Sequence, residues 1–365
     1  MLFRKPSTLP GYLEGHAVRK LWIAILIGAM AGCGKSADSN AETTAETPAD
    51  VDEPGLTSPG LLTSPDKAIH NCTLAIEKHP KNIEAYCDRG DLYFRVGQFD
   101  KAIADYTKAL QLQPGAKIYY NRGVAHSAKN ELDFAFADYN KAIQLDPRDA
   151  AAYFNRAMVL QQRGEAAEAI KDLSEAIKIE PADALSFLHR GLTYLGLELI
   201  DLAENDFTSA IQLDPTHADP FINRGFIRFN RGQFEAAVAD FSAAIRLAPE
   251  HAQPRMNRAI CLEQLGKLDA ALQDLDEALR LEPENALLFN KRGTLRAAKG
   301  DTRSAVNDFT KAVDLQPEFA PAFRNRGNAY LKMGDNARAQ QDFETVGKLD
   351  PTELEKNPPT TNRSE

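Results

Sequence analysis

Apolar residues recur at three- and four-residue spacing through most of the chain, the period of one helix face, and no alternating strand-like run competes. The pattern itself repeats. Proline stands at Pro80, Pro114, Pro147, Pro181, Pro215, Pro249, Pro283, Pro317 and Pro351, a period of 34 residues with one step of 33. Units counted from Ile83, Ala116, Ala150, Ala184, Ala218, Ala252, Ala286 and Ala320 share one template of two helices and a turn.

Position eight of the template is small: Gly90, Gly123, Ala157, Gly191, Gly225, Ala259, Gly293 and Gly327. Small residues there let the two helices of a pair approach closely. Position twenty is alanine in every unit, Ala102 to Ala339, and position twenty-four is large: Tyr106, Tyr139, Leu173, Phe207, Phe241, Leu275, Phe309 and Phe343. Small and large thus alternate along the buried stripe of the second helix. Between the helices stand Gly97, Asn130, Gly164, Gly232, Gly266, Gly300 and Gly334, types that accept left-handed geometry at a helix end, with Glu198 as the departure. Each second helix stops at its proline, which cannot continue it.

Position seven is arginine throughout (Arg89, Arg122, Arg156, Arg190, Arg224, Arg258, Arg292, Arg326). Position twenty-three is aspartate throughout (Asp105, Asp138, Asp172, Asp206, Asp240, Asp274, Asp308, Asp342). This pairing predicts an Arg–Asp ladder between helices, partly buried, which sets geometry more than it adds stability. The functional alternative is an arginine row offered to acidic ligands, and the anion at hand for each cation weighs against it.

A 34-residue, two-helix unit with these residues resembles the tetratricopeptide-repeat (TPR) family over residues 66–351. The resemblance implies an all-α fold: a right-handed superhelix, or α-solenoid, of eight repeats within residues 65–351. Asp66 to His79, with Ala68, Cys72 and Ala75, matches a second helix without its first and reads as a half repeat capping the N-terminal end. In the tail, 352–365, only Thr352 to Lys356 precede Asn357-Pro358-Pro359, so the usual polar capping helix is abbreviated.

In that family the first helices line an inner groove, which positions two, five, six, nine and twelve tend to face. Position six here is Asp88, Asn121, Asn155, His189, Asn223, Asn257, Lys291 and Asn325. This partial asparagine ladder is similar to that of the O-linked N-acetylglucosamine transferases, where such asparagines hold an extended peptide by its main chain. An amide side chain can donate to a peptide carbonyl and accept from a peptide N–H. The alternative is that each asparagine bonds neighbouring backbone. Beside the ladder, positions five and nine are apolar: Tyr120 and Val124, Phe154 and Met158, Leu188 and Leu192, Ile222 and Phe226, Met256 and Ile260. Leu195 and Phe229 at position twelve extend the strip. Such a strip either marks a binding surface or packs on adjacent helices. Only Lys117 and Asn121 match the carboxylate clamp of chaperone-binding relatives, so an acidic C-terminal partner is not indicated.

Net charge is −9 over 365 residues, which argues against a nucleic-acid partner. The seven histidines show no metal-ligand spacing, and Cys72, Cys87 and Cys261 fall on template positions, a Cys72–Cys87 bridge being one option for the first two. No enzyme activity, cofactor or small-molecule substrate is expected.

The first 33 residues depart from this acidity. Arg19 and Lys20 precede the apolar run Leu21 to Gly32, too short for a bilayer span of about 20 residues but suited to a secretory signal over residues 1–32. Met30-Ala31-Gly32-Cys33 resembles the lipobox of bacterial lipoproteins, with Met30 where leucine is usual, which implies lipidation of Cys33. An uncleaved signal anchor is the alternative. Gly32 to Ser36 also mimics the end of a phosphate-binding loop, but position 29 is alanine where that loop needs glycine. Residues 34–64 are poor in apolar side chains and read as a tether with an r.m.s. span on the order of 30 Å. The sequence therefore predicts a lipid-anchored scaffold at the cell envelope, facing the periplasm or exterior, which binds proteins or extended peptides. The rival is a structural module that associates through its solenoid ends.

Overall fold

The computed structural model describes residues 65–350. The signal segment, Cys33, the tether and the tail lie outside the described residues. Among those described there are seventeen α-helices and no strands. Helix α1 (Pro65–Lys78) precedes eight helical hairpins. Their first helices are α2 (Ile83–Arg95), α4 (Ala116–Ala128), α6 (Ala150–Gln162), α8 (Ala184–Gly196), α10 (Ala218–Asn230), α12 (Ala252–Gln264), α14 (Ala286–Ala298) and α16 (Ala320–Lys332). Their second helices are α3 (Phe99–Leu112), α5 (Leu132–Leu145), α7 (Ala166–Ile179), α9 (Ile200–Leu213), α11 (Phe234–Leu247), α13 (Leu268–Leu281), α15 (Thr302–Leu315) and α17 (Asn336–Leu349).

Local chemistry sets these boundaries. Asn82, Asp149, Asp183 and Asn285 accept backbone N–H groups at the start of their first helices, which satisfies donors that the helix cannot. At the inner turn Gly97 has φ 75°, and the next amide, Gln98 N, donates to Tyr93 O at 2.8 Å, a Schellman closure. Glu198 makes the same turn at φ 60°, with Leu199 N donating to Tyr194 O at 2.9 Å. The departure at Glu198 is thus one of residue type and not of conformation.

Each hairpin closes on the position-twenty alanine and the position-twenty-four side chain. Ala102, Ala135, Ala169, Ala237, Ala271, Ala305 and Ala339 are fully buried. A Cβ added at Gly90, Gly123, Gly293 or Gly327 would stand 2.6–2.9 Å from the ring at position twenty-four of its own repeat. Where position eight is alanine, at Ala157 and Ala259, position twenty-four is Leu173 or Leu275, both buried. The two positions are matched in volume.

The chain forms two compact units, one with described residues 65–203 and one with 204–350, and their boundary falls within α9. In the first unit α1 packs on α2 as a second helix would, and each later second helix packs on the next first helix. Consecutive first helices also touch, α2 with α4 and α4 with α6, and in the second unit α10 with α12 and α14 with α16. Consecutive second helices approach less closely. The first helices therefore lie on the inside of the curve within each unit.

Candidate interaction face

The arginine at position seven is held from three sides. Arg122 Nε and Nη2 donate to the two carboxylate oxygens of Asp138 at 2.8 and 2.7 Å, and the same fork joins Arg89 to Asp105 and Arg156 to Asp172. In the second unit it joins Arg224, Arg258, Arg292 and Arg326 to Asp240, Asp274, Asp308 and Asp342. The aspartates are buried. The remaining amine, Nη1, reaches the preceding repeat, where Arg122 meets Thr107 Oγ1 and Arg156 meets Asn140 Oδ1.

In every repeat that acceptor occupies position twenty-five, or its equivalent Thr73 in α1: Thr107, Asn140, Ser174, Thr208, Ser242, Asp276 and Thr310. Position four adds an aromatic ring within 5.3–5.9 Å of the guanidinium in seven repeats, as Tyr86 does for Arg89 and Phe323 for Arg326. The bond to Asp138 holds Arg122 above its already high pKa. These cations are consumed in building the scaffold and are not a row offered to acidic ligands. The sequence carries both unrecognised signals, a short polar residue at position twenty-five and a ring at position four.

Position six does two jobs. Asn121 Nδ2 donates to Asp91 Oδ1 at 3.0 Å, Asn155 Nδ2 to the Tyr120 hydroxyl at 3.0 Å, and Asn325 Nδ2 to Asn290 Oδ1 at 2.9 Å. Each of these bonds joins neighbouring first helices. Asn155 and Asn223 also donate to backbone four residues earlier, Ala151 O and Asp219 O. Asn257 is half-buried and has no bond to another side chain among the described residues. The asparagine donors are thus largely engaged inside the scaffold, and Asn223 is itself buried.

The apolar strip is likewise divided. Leu188 and Leu195 are buried. Tyr120 and Val124 pack on Ala135, Tyr139 and Val159, while Phe154 and Met158 pack on Ala157, Leu160, Ala169 and Leu173. The Phe154 ring meets His189 edge-on at 5.3 Å. Leu192, Ile222, Phe226, Met256 and Ile260 are half-buried. The strip thus packs partly on the second helix of its own hairpin and partly on neighbouring first helices, and several of its side chains stay partly accessible.

Burial shifts three titratable groups along this face. Cys87 is pushed up to about 11 by desolvation, then by Asp91 and Asp88. Tyr120 is raised, mainly by burial. Glu263, at position twelve, is raised by burial, with Lys291 pulling the other way. Cys72, Cys87 and Cys261 are free thiols, so the bridge considered for the first two is not formed. Among the described residues no group of three His, Cys, Asp or Glu could hold a metal, and no helix is long and apolar enough to cross a membrane.

Comparison with known proteins agrees with this geometry. Family models described as tetratricopeptide repeat match residues 83–115, 116–149, 138–171, 184–217, 223–286 and 290–352. No curated protein matches the chain. Among solved structures, the C-terminal part of a TPR repeat-containing protein from Cytophaga hutchinsonii is 17% identical with a TM-score of 0.55, covering 65% of this chain and 97% of that one. This likeness concerns the fold alone. A TPR protein from Parabacteroides merdae is 19% identical, covering 72% and 98%, with a TM-score of 0.48. YrrB, described as a TPR protein with an unusual peptide-binding site, is 26% identical, covering 50% and 95%, with a TM-score of 0.47.

Proposed function

The chain belongs to the tetratricopeptide-repeat family, and on that premise we propose that it holds extended segments of partner proteins against its first helices, tethered at the bacterial cell envelope by a lipid on Cys33. The carrying observation is the nearly uncharged character of positions five, six and nine from Tyr120 to Ile260, where amide-bearing residues alternate with apolar ones that are mostly half-buried. An amide oxygen accepts from a peptide N–H, and an adjacent apolar surface receives alternate side chains of an extended segment. The solvated faces of second helices offer the contrary character, with exposed pairs such as Lys171–Glu168 and Arg280–Glu277.

Rigidity favours this use. A face built on arginines that clamp their own repeat and reach the preceding one through Nη1 loses little order on binding, which lowers the cost of recognition. The envelope location rests on Arg19, Lys20, the apolar run and the Met30-Ala31-Gly32-Cys33 sequence.

The direct test is capture from envelope extract by the full chain, wild type beside the Asn121, Asn155, Asn223 and Asn257 to Ala variant, with helix content checked by circular dichroism. A partner retained by the wild type and lost by the folded variant supports the groove. Equal capture by both overturns it. For the anchor, Cys33→Ser should move the protein from the membrane fraction to the soluble one and abolish labelling by a palmitate analogue; unchanged fractionation without labelling overturns the lipid.

A further inference from the structure

Helix α1 is a second helix without a first, and the difference shows in its burial. In the hairpins, positions twenty, twenty-three, twenty-four and twenty-seven of the second helix are closed over: Ala102, Asp105, Tyr106 and Ala109 are buried, as are Ala135, Asp138, Tyr139 and Ala142. The equivalents in α1, one 34-residue period earlier, are Ala68, Asn71, Cys72 and Ala75, and α1 buries no residue at all. Asn71 is exposed, and Ala68, Cys72 and Ala75 are half-buried. The helix packs on α2 from the side of Thr73, whose Oγ1 accepts from Arg89 Nη1 at 3.0 Å. The face that a first helix would cover is left unpartnered among the described residues.

The chain that leads into this face differs from the rest of the tether. All six acidic residues of 34–64 (Asp38, Glu42, Glu46, Asp50, Asp52, Glu53) lie before residue 54, whereas residues 54–64 carry no charge and hold Leu56, Leu61 and Leu62. By the repeat period this stretch stands where the missing first helix would be, but Pro54-Gly55 and Pro59-Gly60 rule out a helix of that length. Its counterpart of the position-seven arginine is Gly55, just as Asn71 replaces the aspartate of the fork. A residue before proline favours extended backbone, which applies to Ser58 and Ser64. Extended at about 3.3 Å per residue, residues 56–62 span about 20 Å, which matches the fourteen residues of α1 at about 1.5 Å each. Cys72 supplies room, because its position is tyrosine, phenylalanine or leucine in every full repeat. We infer that residues 56–62 fold back along α1 as an extended strap in place of a first helix, with Leu61 and Leu62 against Ala68 and Cys72. A segment joined to the face through only Thr63 and Ser64 meets it at an effective concentration on the order of millimolar, which favours it over a second copy. The strap seals the N-terminal end of the first unit and leaves residues 34–53 as the spacer behind Cys33, with an r.m.s. span on the order of 25 Å.

The test is disulfide trapping in the full chain, read by mass spectrometry of unreduced peptides. Leu61→Cys and Leu62→Cys are each oxidised mildly beside a control in which the other two strap leucines are also changed to serine, with helix content checked by circular dichroism. The control keeps the distance along the chain and removes only the apolar contacts. A bridge needs Cα atoms within about 7 Å. One of the two positions should bridge to Cys72 within one chain about tenfold faster than its control, the ratio that burial of a single leucine supplies. With the native thiols in place, alkylation of Cys72 should quicken by a similar factor when Leu56, Leu61 and Leu62 all become serine. A bridge that is absent, or that forms as fast in the control, overturns the strap, and so does alkylation at one rate with and without the leucines. Bridges between two chains, identified by mixing isotope-labelled with unlabelled protein, overturn it as well and give the face to a second copy.

Discussion

At the scale of single residues, the conformation demanded at a position and the residue type found there can disagree, and the disagreement is measurable. Glu198 holds φ 60° at a turn where six repeats place glycine. A left-handed conformation costs a residue with a Cβ about 1–2 kcal/mol, partly offset because glycine gains freedom in the unfolded chain. Glu198→Gly is therefore expected to stabilise the protein by about 0.5–1 kcal/mol in urea unfolding. The Glu263 carboxyl makes a second residue-scale prediction. Burial raises its folded pKa above the ordinary 4.5, so over that window the folded state binds more protons than the unfolded one. Its contribution to stability is present at low pH and is lost as pH rises through the folded pKa. Glu263→Gln should therefore melt higher than the wild type at pH 7, and the gap should close as pH falls below 4.5. The left-handed turns were legible because glycine recurs at them. The state of Glu263 was not, since one repeat in eight carries an acid at position twelve and periodicity speaks only for what recurs.

At the scale of the helical hairpin, two matched sets of side chains set the geometry. The first is the volume match between positions eight and twenty-four. Leu173→Phe places a ring where Ala157 has its Cβ, and overpacking of this kind costs about 2 kcal/mol. Adding Ala157→Gly should recover about half of that loss, because relief of the overpacking is set against glycine's helix penalty of about 1 kcal/mol, and a double-mutant cycle by denaturant unfolding measures the coupling. Additive losses would show that the ring finds other space. The second set is the arginine fork. Asp138→Ala leaves Arg122 without its anion and should cost about 3 kcal/mol, whereas Thr107→Val removes only the bond to the preceding repeat and should cost about 1 kcal/mol. The sequence announced the Arg–Asp partnership through invariance at two positions. It gave a weaker signal for position twenty-five, where threonine, serine, asparagine and aspartate share a hydrogen-bonding capacity but not an identity.

At the scale of the molecule, neighbour-to-neighbour contact governs how a disturbance spreads. Repeats couple chiefly to those beside them, so the effect of Asp138→Ala should concentrate in the unit that contains it. Hydrogen exchange should show protection lost over α4 to α6 while α14 to α17 change little; uniform loss over residues 65–350 would mean that the two units open together. The number of repeats and the half repeat at α1 were readable from the proline period. The curvature within each unit, with first helices inside, was implied by family resemblance alone, because no spacing in the chain reports which helices approach more closely. The asparagine ladder was legible as a row but not as a row whose donors are mostly engaged within the scaffold.

The central claim is that polypeptide partners lie against the first helices. The most direct measurement is photocrosslinking in cells that express the full chain, with a benzophenone amino acid placed at Met158 or Phe226 on the inner face and at Lys171 or Arg246 on the exposed side of second helices. Discrete adducts to a partner polypeptide are expected from Met158 and Phe226 and none from the outer positions. Adducts confined to Lys171 or Arg246 would contradict it.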